Sequence, residues 1–379
     1  MKFFNRSSLT PVGWPPKGIE EQRGTSRGSA VTSYEHIKIL STVDRESPET
    51  YAQTMNPLPY GPPAKLLVDT DTGVDDAAAL LLLSAQDIEI VGVTTVHGNV
   101  PQEQATANAL YALEVGGATD VPVFPGCRQP LVAPLRTAEW IHGPDGFGGS
   151  FFPLAKRRPE TEHAVQAIVR LAHENAGELT LLTLGPLTNV AAAIASDPSI
   201  VDCFSSVVAM AGSADLPGNT TAVAEYNVVV DPEAAAAVFE AGLPLVMVGY
   251  DISRKRGVMH RADRERLANS EAPPAQFLRR ITGHLERFSL EVLKQDGYDL
   301  ADAITAAVTA APSLATVAPE VWIGIELSGR YTRAMTVVDH LGLEEKPHNA
   351  HVVLDVDEQA YKELLFASLG ADPVASGAS

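Results

Sequence analysis

Residues 65–76, Lys65-Leu66-Leu67-Val68-Asp69-Thr70-Asp71-Thr72-Gly73-Val74-Asp75-Asp76, decide the fold that this sequence predicts. The first four residues form a short apolar run of the kind found in buried strands, and the alanine- and leucine-rich stretch 77–85 has the composition of a helix. A strand followed directly by a helix is the repeating unit of parallel sheets, in which ligands bind beyond the carboxyl ends of the strands. The four aspartates between them therefore stand where chemistry is expected.

The same alternation continues outward along the chain. Further apolar runs predicted to be strands are 88–95, 121–124, 179–184, 207–210 and 244–248, and helical stretches such as 102–115 lie between them. This order predicts an α/β fold with a mostly parallel central sheet and helices on both faces.

Composition suggests where the folded domain begins and ends. Residues 1–62 are rich in Pro, Ser and Thr and show little apolar periodicity, which predicts a mobile extension. Residues 63–372 are predicted to form one domain, and residues 373–379 a flexible tail.

The overall composition narrows the classes of partner. The formal net charge of the 379 residues is -19, and so acidic a chain repels phosphate backbones, which argues against a nucleic-acid polymer. No apolar run approaches the ~20 residues needed to span a bilayer, so no membrane partner is expected. The two cysteines, Cys127 and Cys203, are expected to be buried free thiols, which suits a reducing cytoplasm.

The aspartates after the first strand predict a metal site. Asp69, Asp71, Asp75 and Asp76 would repel one another strongly unless a cation neutralised them, and Gly73 is expected to allow the tight turn that brings them together. All the candidate ligands are oxygen, which favours Ca²⁺ or Mg²⁺ over zinc. The alternative is that Asp75 or Asp76 merely caps the following helix.

A strand ending in Asp-x-Asp has a second known use. Haloacid-dehalogenase-like phosphatases place a nucleophilic aspartate there, followed by an acid/base aspartate, and they use Mg²⁺; Asp69 and Asp71 would take these roles. That class also needs a downstream lysine and a late acidic pair, and this sequence offers no convincing equivalent. The phosphatase is therefore a minor alternative.

Separated motifs across 65–369 together resemble the inosine–uridine-type nucleoside hydrolase family. The opening Asp-x-Asp-x-Gly-x-Asp-Asp is present, with Thr72 where proline is commoner. The other matching stretches are Thr94-Thr95-Val96-His97-Gly98-Asn99, His142-Gly143-Pro144-Asp145-Gly146, Leu184-Gly185-Pro186-Leu187-Thr188-Asn189, Met210, Gly218-Asn219, Ala224-Glu225-Tyr226-Asn227, Val230-Asp231-Pro232-Glu233-Ala234 and Asp302.

The resemblance implies a Rossmann-like open sheet and a hydrolase that cuts ribonucleosides into ribose and free base with a calcium-activated water. Its implied Ca²⁺ ligands are Asp71, Asp76, the carbonyl of Leu184 and Asp302, with Asp71 also the general base. Calcium tolerates seven or eight oxygens, so it can hold a ribose diol and a water together.

The implied ribose-binding residues are Asp75, Asn99, Asn219, Glu225 and Asn227, and Met210 would pack against the sugar. The alternative to ribose binding for Asn99 and Asn219 is that each is an ordinary turn residue. The alternative for Met210 is that it packs in the core without contacting the sugar.

One position departs from the family pattern. Many members carry a histidine that protonates the departing base immediately before the last calcium aspartate, and here Ala301 occupies that place. Another residue could supply the proton, with His142, His284 and Tyr298 as candidates. Stacking on Trp140 could instead activate the base, or the leaving group could need less help. A purine or modified purine is slightly favoured as the base of the substrate. For Trp140 and His142, the alternative to a catalytic role is that each is a packed loop residue.

The resemblance also implies a cytoplasmic homodimer or homotetramer acting in purine salvage and nucleoside catabolism. A hypothesis from another class is a non-catalytic nucleoside-binding protein that kept the calcium site. The intact Asp71 argues against it, because a binder has no need of a base beside the bound water.

Overall fold

The computed structural model describes residues 58–371, so the predicted extension, apart from its last residues, and the predicted tail lie outside the described residues. Its strands are β1 (Lys65–Thr70), β2 (Glu89–Thr95), β3 (Val123–Pro125), β4 (Leu179–Thr183), β5 (Phe204–Met210), β6 (Leu245–Val248), β7 (Val258–Met259), β8 (Tyr298–Asp299), β9 (Ala315–Val317), β10 (Glu320–Val321), β11 (Ile323–Ile325), β12 (Thr336–Val338), β13 (Ala350–Val353) and β14 (Asp355–Val356).

The α-helices alternate with these strands. They are α1 (Val74–Ser84), α2 (Gln102–Val115), α3 (Glu139–His142), α4 (Ala164–Glu174), α5 (Thr188–Ser196), α6 (Tyr226–Val230), α7 (Pro232–Phe239), α8 (Tyr250–Arg256), α9 (Arg261–Asn269), α10 (Pro273–Phe288), α11 (Ala301–Ala310) and α12 (Glu358–Ser368). A π-helical turn, Ser289–Leu293, continues α10, and 3₁₀ turns lie at Pro198–Cys203 and Pro312–Leu314.

Eight strands form the central sheet, in the order β10-β13-β6-β5-β4-β1-β2-β3. Every pair is parallel except β10 with β13, which is antiparallel. The predicted mostly parallel α/β fold is confirmed. Strand β1 lies between β2 and β4, so the aspartates that follow it stand near the middle of the carboxyl edge.

Both faces of the sheet are covered, as successive side chains of β1 illustrate. Leu66 and Val68 pack in one core cluster with α1 and α11, while Leu67 packs in a second cluster with α4 and α5. Side chains alternate across a strand, so a continuous apolar run is what a strand buried on both faces requires. These two layers hold the carboxyl edge of the sheet rigidly.

Element boundaries differ from the sequence-based prediction mainly at the acidic segment. Strand β1 continues to Thr70 and helix α1 begins at Val74, so Asp69 lies within the strand and Asp75 and Asp76 lie in the first helical turn. Carboxylates are favourable at a helix N-terminus because the backbone N–H groups there are positive. Helix α2 has the predicted bounds.

The cysteines are free, as expected, but only Cys203 is buried, because Cys127 lies in a partly exposed loop after β3. Across residues 58–371, no helix combines the length and the apolar character needed to cross a bilayer.

Candidate active site

A cavity of about 320 Å³ opens at the carboxyl ends of the central strands. Ten of the predicted site residues line it: Asp75, Asn99, Trp140, His142, Leu184, Met210, Asn219, Glu225, Asn227 and Asp302. The other two, Asp71 and Asp76, are fully buried and reach the cavity through Asn99, whose side-chain amide donates hydrogen bonds to both of them. Motifs scattered over the sequence therefore meet at one place.

Three carboxylates form a potential metal site on this cavity. Oxygens of Asp75, Asp76 and Asp302 all lie within 4.8 Å of one another. The first two come from the first turn of α1 and the third from the first turn of α11. Asp71, expected to be a ligand, is outside this group of three, and Asp75, expected to bind ribose, is inside it.

The electrostatics of these carboxylates fit a cation. Burial raises the pKa of Asp75 to about 8, with the charge of Asp76 adding to the shift, and burial raises the pKa of Asp302 as well. Among the described residues, no hydrogen-bond donor reaches the buried Oδ1 of Asp75. A hard cation would supply both a partner for Asp75 Oδ1 and the positive charge that the three carboxylates lack. All the candidate ligand atoms are oxygens, which Ca²⁺ and Mg²⁺ prefer.

Asp76 also serves the capping role that was the alternative to metal binding. Its Oδ2 accepts a hydrogen bond from the backbone N–H of Gly73 at 2.8 Å. Its Oδ1 accepts from the Thr70 hydroxyl. The two roles are compatible, because a carboxylate has about four lone-pair directions.

Asp71 is held in a close-fitting pocket. The backbone N–H of Asn99 donates to Oδ2 at 2.6 Å, and the Asn99 side chain donates to Oδ1 at 3.2 Å. A Cβ at Gly98 would lie 1.9 Å from Oδ2, and one at Gly185 would lie 2.9 Å from Oδ1. Burial and the neighbouring charge of Asp76 raise the pKa of Asp71, so a nearby cation is needed to keep it ionised.

His142 lies against the acidic segment. Its Nδ1 accepts a hydrogen bond from the backbone N–H of Val74 at 3.2 Å and lies 3.7 Å from Oδ1 of Asp75. Burial lowers the pKa of His142 to about 4, so the ring is neutral at pH 7 with its proton on Nε2. Gly73 lies in the turn before α1, and its φ of -95° is one that any residue adopts, so the turn does not depend on the backbone freedom of glycine. Space requires glycine here, because a Cβ would lie 2.7 Å from His142 Nδ1.

The stretch expected to bind ribose is fixed by the start of α6. Glu225 caps this helix, accepting from the backbone N–H groups of Asn227 at 2.8 Å and Gly212 at 3.0 Å. The Asn227 side chain donates to the carbonyl oxygens of Leu184 at 2.8 Å and Met210 at 3.0 Å. Asn227 thus ties the ends of β4 and β5 together beneath the cavity.

Asn219 lies at the exposed rim. Its Oδ1 accepts a hydrogen bond from the hydroxyl of Thr220 at 3.0 Å.

The opposite wall is apolar and aromatic. Trp140 is 54% exposed, and its ring meets Phe288 edge-on with 5.2 Å between ring centroids. Leu285 and Leu293, from α10 and the π turn, also line the cavity, as does Ala301, which immediately precedes Asp302. The small Ala301 side chain brings no polar group to the place where many family members carry histidine.

Only one of the three candidate proton donors lines the cavity, namely His142. His284 is not a lining residue, but its Nε2 is hydrogen-bonded to the carbonyl of Trp140, which is one, at 3.2 Å. Tyr298 is buried and lines a different pocket beside Arg264, and burial raises its pKa to about 12.

Sequence reasoning gave no role to several lining residues, among them Tyr226, Tyr250, Phe288, Gln295 and Asp299. Tyr226 had a signal, since it stands between Glu225 and Asn227, and its hydroxyl donates to the Gly98 carbonyl at 2.9 Å. Tyr250 follows β6, Phe288 is the last residue of α10, and Gln295 and Asp299 lie in the segment between the π turn and α11, where no periodic pattern marks them.

Comparisons with known proteins agree with this geometry. The family model for inosine-uridine preferring nucleoside hydrolases matches residues 66–363. The pyrimidine-specific ribonucleoside hydrolase RihA of Photobacterium profundum is 37% identical over 306 residues, which cover 79% of this chain and 96% of that protein.

Solved structures give the same result. A plant nucleoside hydrolase superposes with a TM-score of 0.77 at 30% identity, covering 82% of this chain and all of that one. A purine-preferring ribonucleoside hydrolase from Gardnerella vaginalis superposes with a TM-score of 0.75 at 28% identity, covering 80% of this chain and 98% of that one.

These matches confirm the predicted family and enzyme class, and leave the phosphatase alternative without support. The chain belongs to the inosine-uridine preferring nucleoside hydrolase family, whose members hydrolyse the N-glycosidic bond of ribonucleosides.

Proposed function

We propose that this chain is a calcium-dependent ribonucleoside N-ribohydrolase that favours purine or modified purine nucleosides slightly. The observation that carries the proposal is the buried group of Asp75, Asp76 and Asp302, whose oxygens lie within 4.8 Å of one another beside a nucleoside-sized cavity. A cavity of about 320 Å³ suits a small ligand rather than a polymer.

The metal is proposed to be Ca²⁺, held by Asp71, Asp76, the Leu184 carbonyl and Asp302. A bound calcium would hold the ribose diol beside a water and lower the pKa of that water. Asp75 is close enough to contribute a further oxygen as well as a hydrogen bond to ribose. The Leu184 carbonyl already accepts from Asn227 and keeps a second lone pair for a cation.

Asp71 is proposed as the general base. The backbone N–H and side chain of Asn99 fix both of its oxygens, so its orientation is set before substrate arrives. The anionic surroundings favour the positive charge that develops on the ribose ring as the bond to the base breaks.

The sugar is proposed to lie on the polar side of the cavity, where Asp75 and Asn99 face one end of the ring and Asn219, Glu225 and Asn227 the other, with Met210 packing against it. The base would then lie against the aromatic wall. An exposed tryptophan face favours the larger ring system of a purine, because stacking scales with overlapping area.

The departing base is proposed to be activated by stacking on Trp140. His142 is the remaining candidate proton donor that lines the cavity, but its ring is neutral at pH 7. A neutral imidazole can donate a hydrogen bond through Nε2 without supplying a full proton.

A turnover assay tests the proposal. The purified protein, supplied with calcium, is incubated with a panel of purine and pyrimidine ribonucleosides, and ribose release is measured. We expect turnover of several nucleosides, with faster ribose release from purine than from pyrimidine nucleosides. Nucleoside binding without ribose release from any member of the panel would instead identify a non-catalytic binding protein.

The setting of the enzyme is also proposed. We expect a cytoplasmic homodimer or homotetramer that acts in purine salvage and nucleoside catabolism. Two free cysteines are consistent with a reducing compartment.

A further inference from the structure

Beside its aromatic residues, the cavity is lined by polar side chains that the proposed mechanism does not use. Among them are Tyr250 at the start of α8, Gln295 after the π turn, and Asp299 in β8. A polar group on an otherwise apolar wall can fix the orientation of a ligand, provided that it has hydrogen-bonding capacity left.

Both carboxylate oxygens of Asp299 already accept hydrogen bonds from other side chains of the protein. Its Oδ1 accepts from the guanidinium of Arg254 at 3.1 Å, and its Oδ2 accepts from the hydroxyl of Ser253 at 2.9 Å. This ion pair joins the segment before α11 to helix α8. Asp299 therefore shapes the wall and has little capacity left for a substrate.

Gln295 differs in one respect. Its Oε1 is buried, and no donor among residues 58–371 forms a hydrogen bond to it. A buried acceptor without a partner destabilises the folded protein. Because Gln295 is a lining residue of the cavity, a hydrogen-bond donor on a bound ligand is a candidate for the missing partner.

The backbone around Gln295 is fixed. Its N–H donates to the carbonyl of Ser289 at 3.0 Å, closing the π turn, and Lys294 before it has a positive φ of 56°. The side chain therefore projects from a defined turn immediately after the apolar wall formed by Phe288 and Leu293.

The position of Ala301 adds to the argument. Because this residue ends at Cβ, it supplies no hydrogen-bonding group to the base, and the polar edge of a base must find its partner elsewhere. Purines and pyrimidines carry ring N–H or exocyclic amino donors on the edge remote from the sugar, and these are the groups that a carboxamide oxygen accepts.

We infer that Gln295 is a base-recognition residue: its Oε1 accepts a hydrogen bond from a ring N–H or amino group of the bound base and so selects leaving groups that carry such a donor. The inference rests on the proposed ribonucleoside hydrolysis. It concerns how the base is recognised, and it is independent of which metal the site holds.

The test compares substrates with and without a donor on the leaving group. Inosine and uridine carry a ring N–H, whereas the leaving group of 4-nitrophenyl β-D-ribofuranoside has none and departs as a stable anion. Gln295→Met removes the acceptor at similar length, and Gln295→Glu keeps it. Gln359→Met, on the exposed face of α12, is the matched control.

We expect Gln295→Met to lower kcat/KM for inosine and uridine about tenfold, as the loss of one well-placed hydrogen bond implies. In Gln295→Met, kcat/KM should fall much less for the nitrophenyl riboside than for the nucleosides. Gln295→Glu should retain most of the activity on nucleosides. Wild-type enzyme should also have a lower kcat/KM for 3-methyluridine, which lacks the ring N–H, than for uridine. Gln295→Met should not discriminate between these two substrates.

Two failures are distinguishable. If wild-type protein cleaves neither nucleosides nor the nitrophenyl riboside, the proposed function itself is wrong. If wild-type protein cleaves them and Gln295→Met affects all substrates equally, or leaves inosine and uridine unchanged, the role of Gln295 is overturned while the hydrolase assignment stands.

Discussion

The two sides of the cavity are built differently. On the side proposed to bind the sugar (the sugar side), buried hydrogen bonds hold Asp71 and Asn227 in place from at least two directions each. On the side proposed to bind the base (the base side), Trp140 is half exposed and touches Phe288 edge-on. Ribose is common to every ribonucleoside while the base varies, so the proposed binding mode matches fixed polar groups to the constant part of the substrate and apolar contact to the variable part. Changes on the sugar side should abolish activity, and changes on the base side should alter substrate preference.

Metal removal should have the largest effect on the sugar side. Chelation should abolish turnover and lower the melting temperature by about 5 °C, because a cation that binds only the folded state stabilises it by mass action. Added calcium should restore both. Enzyme assays and thermal melts with chelator, calcium and magnesium measure this.

A protein without metal by elemental analysis, and without a calcium-dependent melting shift, would contradict the calcium assignment. Restoration by magnesium alone would show that the same carboxylates hold the smaller ion.

Asp71→Asn should lower kcat at least about 10²-fold for purines and pyrimidines alike, because a general base acts on the water whatever the leaving group. The measurement is steady-state kinetics on protein with verified fold and metal content. Asp69→Asn is the matched control, since Asp69 is equally buried but bound by Thr94 and Asn189 outside the cavity. A near-normal rate in Asp71→Asn would point to a different base.

Trp140→Ala should lower kcat/KM for purine nucleosides about tenfold or more, since stacking of a base on an aromatic ring contributes about 1–3 kcal/mol. The decrease in kcat/KM should be smaller for pyrimidine nucleosides. Trp322→Ala, which removes a tryptophan outside the cavity, is the control. Equal losses for both base classes would refute activation by stacking and show a general role for the wall.

Ala301→His should have the smallest effect, a gain of a few fold towards common nucleosides. An imidazole there could protonate the departing base, and the added rate should fall as pH rises through about 6 to 7, where an unperturbed imidazole loses its proton. Ala301→Gln provides a side chain of similar size without titration. A gain that is equal in both variants, or independent of pH, would contradict the proton-donor explanation.

The sequence predicted the sheet well, and it named most of the polar residues that the structure brings to the cavity, because both depend on local patterns. Helix α2 has the predicted bounds, and Asp75, Asn99 and Glu225 come from motifs whose neighbours in the chain are also neighbours in space.

The base side was predicted poorly because it depends on packing between distant segments. Whether Tyr298 faces the cavity or the opposite surface is decided by the turn before α11, and no periodicity encodes that choice. Gln295 follows a π turn and carries no motif. Likewise, sequence alone could not show that Asp75, and not Asp71, completes the group of three carboxylates with Asp76 and Asp302.

The glycines that enclose Asp71 have a consequence for how this enzyme can change over evolutionary time. A Cβ at position 98 or 185 would meet the Asp71 carboxylate, so neither position can gain a side chain while Asp71 keeps its place. An alanine at 98 would occupy the space of Oδ2 and displace the proposed base. If Asp71 is the base, these two glycines are as constrained as the carboxylate itself, and variation is left to the aromatic wall.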